Sequence, residues 1–393
     1  MNLFEKCVRF TRAREAQAMG YYPFFMPIEA SDGTEVLVHG ERKVMMGSNN
    51  YLGITHHPKV LAAAEAALKR YGSGCTGSRF LNGTLDLHEQ LEDRLARFLG
   101  KEAALVFSTG YQTNLGIIDA LISKGDHLVL DKLNHASIMD GARLAYGTVY
   151  RYPHGDLRTL ERQLAQAPHD AGKLIVTDGV FSMDGDIADL PGMMTLAEFY
   201  GADIMIDDAH ALGVLGRCGG GTAQHFALED KVTLIMATFS KSLAAIGGAV
   251  AGPEPIIHYL KHHARTLIFS ASMPPASVAT VLAALEVIEE EPERREALWK
   301  NTRRMQEGLK SLGYDIGKSE TPIIPVLIGD VAEMVMLWKI LFDGGVFTNP
   351  VMPPAVPDHS CRLRISMMAT HTDRQIDFVL DAFAQIGRHR AAI

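Results

Sequence analysis

Residues 203–210 read Asp-Ile-Met-Ile-Asp-Asp-Ala-His, and residues 233–241 read Thr-Leu-Ile-Met-Ala-Thr-Phe-Ser-Lys. Each is a short apolar run that ends in residues able to do chemistry. Such runs, without polar alternation, are what a parallel strand buried on both faces looks like. Residues 103–108, 127–131 and 173–179 share the texture. Segments of helix length lie at 110–123, 155–165 and 191–201. Strands and helices alternating at this spacing specify an open, mostly parallel α/β sheet. In such sheets ligands bind beyond the carboxyl ends of the strands.

Outside this core, residues 58–70 open on Pro58 and read as a helix, and Leu at 87, 91, 95 and 99 marks another. After about residue 285 the sequence becomes a long, highly charged helical stretch. It is followed by a strand at 323–329, a helix around 331–343 and a strand at 361–367. The expected division is an N-terminal segment 1–45, a large α/β domain 46–285 and a smaller α+β C-terminal domain 286–393.

The 393 residues are 47% hydrophobic and 21% charged, with a net charge of −8, which excludes disorder and a collagen-like chain. No Lys/Arg block marks nucleic acid as a partner. Four scattered cysteines, 7, 75, 218 and 361, form neither a disulfide framework nor a zinc ribbon, so a reducing cytoplasm and no metal are expected. Residues 266–285 carry no charge over a bilayer's length, yet Pro274-Pro275 interrupts them. They read as a buried strand, loop and helix. The aromatic cluster Tyr21–Met26 is expected in a core, with contact to a bilayer as the other reading.

Four strand ends carry the chemistry. Lys241 follows a buried strand, with Thr238 and Ser240 hydroxyls beside it as phosphate donors; the plainer reading is a surface lysine in a turn. Asp207 ends another strand, with His210 three residues on; a divalent-cation site is the alternative, but no further spaced acids support it. His135 stands after a third strand, either as a structural histidine or to stack on a ring. Ser108-Thr-Gly110-Tyr111 opens a helix, whose N-terminal N–H groups bind phosphate or merely await a cap. Gly72–Gly77 matches G-x-G-x-x-G, but it follows a helix rather than a strand, which excludes a dinucleotide site. An amine, a carboxylate, imidazoles and phosphate donors on one sheet edge fit pyridoxal 5′-phosphate. Lys241 would form its Schiff base, and Asp207 would keep its ring nitrogen protonated.

On these residues the chain resembles the α-oxoamine synthases, pyridoxal-phosphate enzymes of the aspartate-aminotransferase-like fold (fold type I). The matching blocks are residues 49–53 (NNYLG), 77–84 (GSRFLNGT), 108–111 (STGY), 134–137 (NHAS), 179–183 (GVFSM), 207–210 (DDAH), 238–241 (TFSK) and 362–364 (RLR). Within the family, 74–86, 349–357 and 368–372 are most similar to the bacterial serine palmitoyltransferases. The resemblance implies condensation of L-serine with a long-chain acyl-CoA to give 3-oxosphinganine. Glycine C-acetyltransferase and 8-amino-7-oxononanoate synthase are the alternative activities, and a catalytically inactive subunit is the non-enzyme one.

The resemblance also assigns roles. Lys241 and His135 are catalytic, the latter stacking on the ring and orienting the substrate carboxylate. Asp207 pairs with the ring nitrogen and His210 with the phenolic oxygen. Gly110, Tyr111, Thr238 and Ser240 hold the phosphate, with Ser182 nearby. Arg364 anchors the substrate carboxylate, with Arg362 as its competitor, and Asn50 is a further substrate contact. Ser270 and Ala271 reach the phosphate of a partner subunit, so a homodimer is implied. The loop 346–357 is composed to line a channel for the acyl chain. The lipid product makes peripheral contact with a membrane conceivable for a cytoplasmic enzyme of this kind.

Overall fold

The computed structural model describes residues 2–390. Two compact units divide the chain. One is Asn49–Trp299; the other joins Met1–Ser48 to Lys300–Ile393. The expected break after residue 285 falls inside the helix Pro275–Glu290. Composition changes there, but the chain passes between units only after Trp299, within the next helix, Glu293–Ser311. What read as one charged helix is two, because Pro292 cannot continue the first.

In the smaller unit, strands β1 (Ala30–Ser31), β2 (Glu35–Val38) and β3 (Glu41–Met45) form a meander. The larger unit holds a seven-stranded sheet. Its strands are β4 (Ala103–Phe107), β5 (His127–Asp131), β6 (Thr148–Tyr152), β7 (Lys173–Asp178), β8 (Asp203–Asp207), β9 (Leu234–Thr238) and β10 (Gly248–Gly252). Their spatial order is β4-β10-β9-β8-β7-β5-β6. β5 to β9 pair in parallel, and β10 runs antiparallel to both β9 and β4. The smaller unit adds β11 (Ile323–Gly329), β12 (Val346–Phe347), β13 (Asn349–Val351) and β14 (Cys361–Ser366). β12 joins β3, while β11, β14 and β13 form a third sheet. The expected acyl-channel loop thus begins as two short strands separated by Thr348, and 352–357 is irregular.

The core of the larger unit lies between the sheet and helices Gly110–Leu121 and Ala136–Leu144. Leu105, Phe107, Ile117, Leu128, Leu130 and Ile138 are all buried there. Of residues 266–285, read as strand, loop and helix, the loop and the helix Pro275–Glu290 are present, but the short helix Arg265–Ile268 takes the place of the strand. The glycine-rich loop 72–84 is pinned rather than free. Buried Arg79 pairs with buried Glu92 through two N–H groups, at 2.7 and 3.1 Å, and its Nε donates to Thr84 Oγ1. Glu92 also accepts the backbone N–H of Val106 in β4. Arg79 is therefore a brace between loop and sheet.

The N-terminal segment contrasts with all of this. No residue from 2 to 29 is buried, and Phe25 is 94% exposed. The expectation that Tyr21–Met26 packs in a core is not met. Among the described residues, no helix is long and apolar enough to cross a membrane.

Candidate active site

The carboxyl ends of β4, β5, β7, β8 and β9 surround a cavity of about 380 Å³. Gly110, Tyr111, His135, Asp207, His210, Thr238, Ser240 and Lys241 all line it. So do Thr109, Asn114, Ser137 and Asp178, which sequence reasoning did not single out.

The end nearest β4 is shaped for an anion. Thr109 caps the helix Gly110–Leu121, its Oγ1 accepting the Gln112 N–H at 3.1 Å. The first N–H groups beyond the cap have no partner within the helix. A Cβ on residue 110 would stand 2.5 Å from Thr238 Oγ1, so only glycine leaves the two in place. Thr238 Oγ1 lies 3.2 Å from Ser240 Oγ. Two hydroxyls and a helix N-terminus thus meet at one point, a donor set that suits a phosphate monoester.

The neighbouring acids differ sharply. Asp207 accepts from Asn114 Nδ2 at 2.7 Å and from the Ala209 N–H at 2.9 Å, and lines the cavity. Asp208 turns away and accepts the Thr222 N–H at 2.9 Å. Complete burial pushes the Asp208 carboxyl up to about 7, and a Cβ on Gly221 would meet it at 2.1 Å. Of the two, only Asp207 lines the cavity. Asp178 stands in register with Asp207 on the adjacent strand. Burial, and then the charge of Asp207, hold the Asp178 carboxyl well above the usual carboxylate range.

His210 Nδ1 lies 2.7 Å from the hydroxyl of buried Tyr51, which comes from the NNYLG block. The imidazole lines the cavity. His135 caps the helix Ala136–Leu144, its Nδ1 accepting the Ser137 N–H at 3.3 Å. Burial pulls the imidazole below its ordinary value. His154 bridges Asp131 at 3.1 Å and Asp186 at 2.7 Å, tying the end of β5 to the segments after β6 and β7. Burial works against its protonation, but the two carboxylates prevail and raise it to about 10.

The remaining expected residues lie off the cavity lining. Ser182 stands in the turn after β7. Ser270 Oγ accepts from Gln112 Nε2 at 2.9 Å, and the Ala271 carbonyl accepts from Ser108 Oγ. Asn50 serves its own turn, with Oδ1 accepting the Ile54 N–H at 3.1 Å and Nδ2 donating to Thr55 at 2.9 Å. Arg362 and Arg364 are both buried on β14 of the other unit. There Arg364 donates to Ser366 Oγ at 2.7 Å, and Arg362 to the Ser360 carbonyl at 3.0 Å. Among the described residues no cluster is suited to hold a metal ion.

Known proteins are similar to this chain over nearly its whole length. The family model for aminotransferase class I and II matches residues 41–383. A serine palmitoyltransferase of Sphingobacterium spiritivorum is 50% identical over 384 residues, covering 98% of this chain and 96% of that protein. An 8-amino-7-oxononanoate synthase of Thermoanaerobacter pseudethanolicus is 41% identical over 378 residues, covering 96% of each. Among solved structures, one of "SPT with PLP internal aldimine" superposes with a TM-score of 0.97 over 100% of both chains, at 37% identity.

Proposed function

The chain belongs to the α-oxoamine synthases of the aminotransferase class I and II family, and from that membership we propose that it is a pyridoxal-phosphate enzyme joining L-serine to palmitoyl-CoA. The convergence of Lys241, Asp207, His210 and His135 on one cavity, beside a helix N-terminus kept open by Gly110, carries the reading. The substrates follow from the similarity to the serine palmitoyltransferase of S. spiritivorum.

When bound, pyridoxal phosphate supplies a carbonyl for the amino group and a sink for the electron pair freed at Cα. Lys241 would provide the amine that tethers it and would take the Cα proton of serine. Asp207, held by two donors, would face the ring nitrogen. His210, its ring set by Tyr51 at Nδ1, would meet the phenolic oxygen. The N–H groups of residues 110 and 111, with Thr238 and Ser240, receive the phosphate. His135 stacks on the ring and holds the serine carboxylate. Arg364 enters through the family resemblance, as do Ser182 and Asn50.

A carbon–carbon bond forms between serine Cα and the thioester carbonyl carbon, and CoA departs as the thiol. The serine carboxyl leaves as CO₂, and a proton returns to Cα, giving 3-oxosphinganine. A cytoplasmic homodimer belongs to this reading, with Ser270 and Ala271 serving the phosphate of the second copy.

The test is release of CoA by the purified enzyme across serine, glycine and alanine, each with acetyl- to palmitoyl-CoA. Burial of one methylene is worth about 0.8 kcal/mol, so kcat/KM should climb steeply with chain length when serine is the donor. If glycine with acetyl-CoA is the best pair, the chain is a glycine C-acetyltransferase and the serine reading falls.

A further inference from the structure

Between Asp207 and His135 stand two buried side chains, Asn114 and Ser137, each 1% exposed. Asn114 Nδ2 lies 2.7 Å from Asp207 Oδ2 and 2.8 Å from Ser137 Oγ. Ser137 Oγ lies 2.8 Å from His135 Nδ1, which also accepts the Ser137 backbone N–H at 3.3 Å. Four residues from three segments thus form one unbroken chain of hydrogen bonds.

The direction of every bond follows from one end. An ionised carboxylate only accepts, so Asn114 must turn its NH₂ group toward Asp207. Both hydrogens of that group are then committed, one to Asp207 and one to Ser137 Oγ. The Ser137 hydroxyl proton is left to point at His135 Nδ1. With an O–H and an N–H both aimed at it, Nδ1 holds a lone pair, and the ring proton sits on Nε2.

We propose that Asn114 and Ser137 are positioning residues, a relay through which the Asp207 carboxylate fixes His135 as its Nε2–H tautomer, the one that donates to the carboxylate of the amino-acid substrate. The proposal deepens the function given above and rests on its assignment of Asp207 and His135. Two independent features point the same way. His135 sits at the positive end of a helix, which disfavours a second proton. And Asn114 Oδ1, though buried, has no protein partner. That orphaned oxygen costs stability, and the amide keeps this orientation because a carboxylate at the other end admits only the NH₂ group.

The experiment has two arms on the purified holoenzyme. In the first, ¹⁵N-histidine labelling, with His135 assigned by difference from His135→Gln, reads the tautomer directly. Nε2–H is expected before any amino acid is added. A proton on Nδ1, or an imidazolium near neutral pH, overturns the relay. This arm involves no turnover, so it fails separately from the choice of substrate.

In the second arm, Ser137→Ala should raise KM for the amino acid about tenfold, the worth of one hydrogen bond, with kcat within about threefold. Ser137→Thr, which keeps the hydroxyl, should restore KM. Asn114→Ala should lower kcat as well, because Asp207 loses a donor. In the double variant the two KM effects should not multiply, as expected of residues in one network. KM effects that multiply fully, or an unchanged KM in Ser137→Ala, overturn the proposal.

Discussion

The strand-end cavity and the N-terminal segment 2–29 use their side chains in opposite ways. Around the cavity, polar groups are buried and answer one another: Asp207 with Asn114, His135 with Ser137, His210 with Tyr51. In the segment, apolar groups stand in solvent, Phe4, Phe10, Phe24 and Phe25 among them. Hydropathy alone would have ranked the two the other way round. Burial is decided by what an element packs against. The cavity residues are fixed by the sheet, whereas helices Glu5–Val8 and Arg12–Ala18 bury nothing.

The sharpest way to break this contrast is to remove the cavity's central amine. Lys241→Ala should lower kcat by about 10³-fold or more and abolish visible absorbance from the bound cofactor. A variant that kept its colour would place the tether on another lysine.

Next in size is the brace on β4. Glu92→Gln leaves Arg79 charged and buried without its partner, and should destabilise the fold by about 3 kcal/mol or more, read by denaturant unfolding. A loss under about 1 kcal/mol would mean the loop 72–84 is held by other contacts.

The adjacent acids sharpen the picture further. Asp207→Asn should retain the cofactor but lose about 10²-fold or more in kcat, while Asp208→Asn should leave kcat nearly unchanged. The effect of Asp208 lies in stability. Its folded carboxyl, near 7, is above the unfolded value of 3.8, so the folded state binds more protons between those values. Stability should therefore fall as pH rises through that window, and Asp208→Asn should flatten that slope. A catalytic defect in Asp208→Asn that matches Asp207→Asn would exchange their roles.

The smallest effect belongs to the N-terminal segment. Phe25→Ser should change stability by no more than about 0.5 kcal/mol, because the side chain has nothing to lose. A fall of several degrees in Tm would show that this surface is covered in solution.

Much of the fold was legible because four of the parallel strands announce themselves as unbroken apolar runs. β6 escaped notice because, at the sheet edge, only Tyr152 of Thr-Val-Tyr-Arg-Tyr is buried, and the segment is no apolar run. β10 escaped because Gly-Ala-Val-Ala-Gly is too small-sided to read as a strand. Its glycines are demanded by neighbours, since a Cβ on Gly248 would meet Gly110 Cα at 2.7 Å. In the site, Lys241, Asp207, His210 and His135 were readable as chemistry placed after a strand. Asp178 carries the same signal, at the end of residues 173–178, but Thr-Asp-Gly there reads as a turn. Asn114 and Ser137 carry none. Their roles arise only when two helix starts converge on the sheet, which no local pattern encodes.

The strand order has a consequence in time. β4 touches the sheet only through β10, and 140 residues separate the two in sequence. A chain emerging from the ribosome at about 5–20 residues per second must wait roughly 7–30 s after making β4 before its only partner exists. Until then the helix start at Gly110 has no Thr238 held against it. The phosphate cradle is therefore among the last parts of the larger unit to form. Half-made chains should be unable to capture pyridoxal phosphate, and the cofactor should reach only molecules whose sheet has already closed.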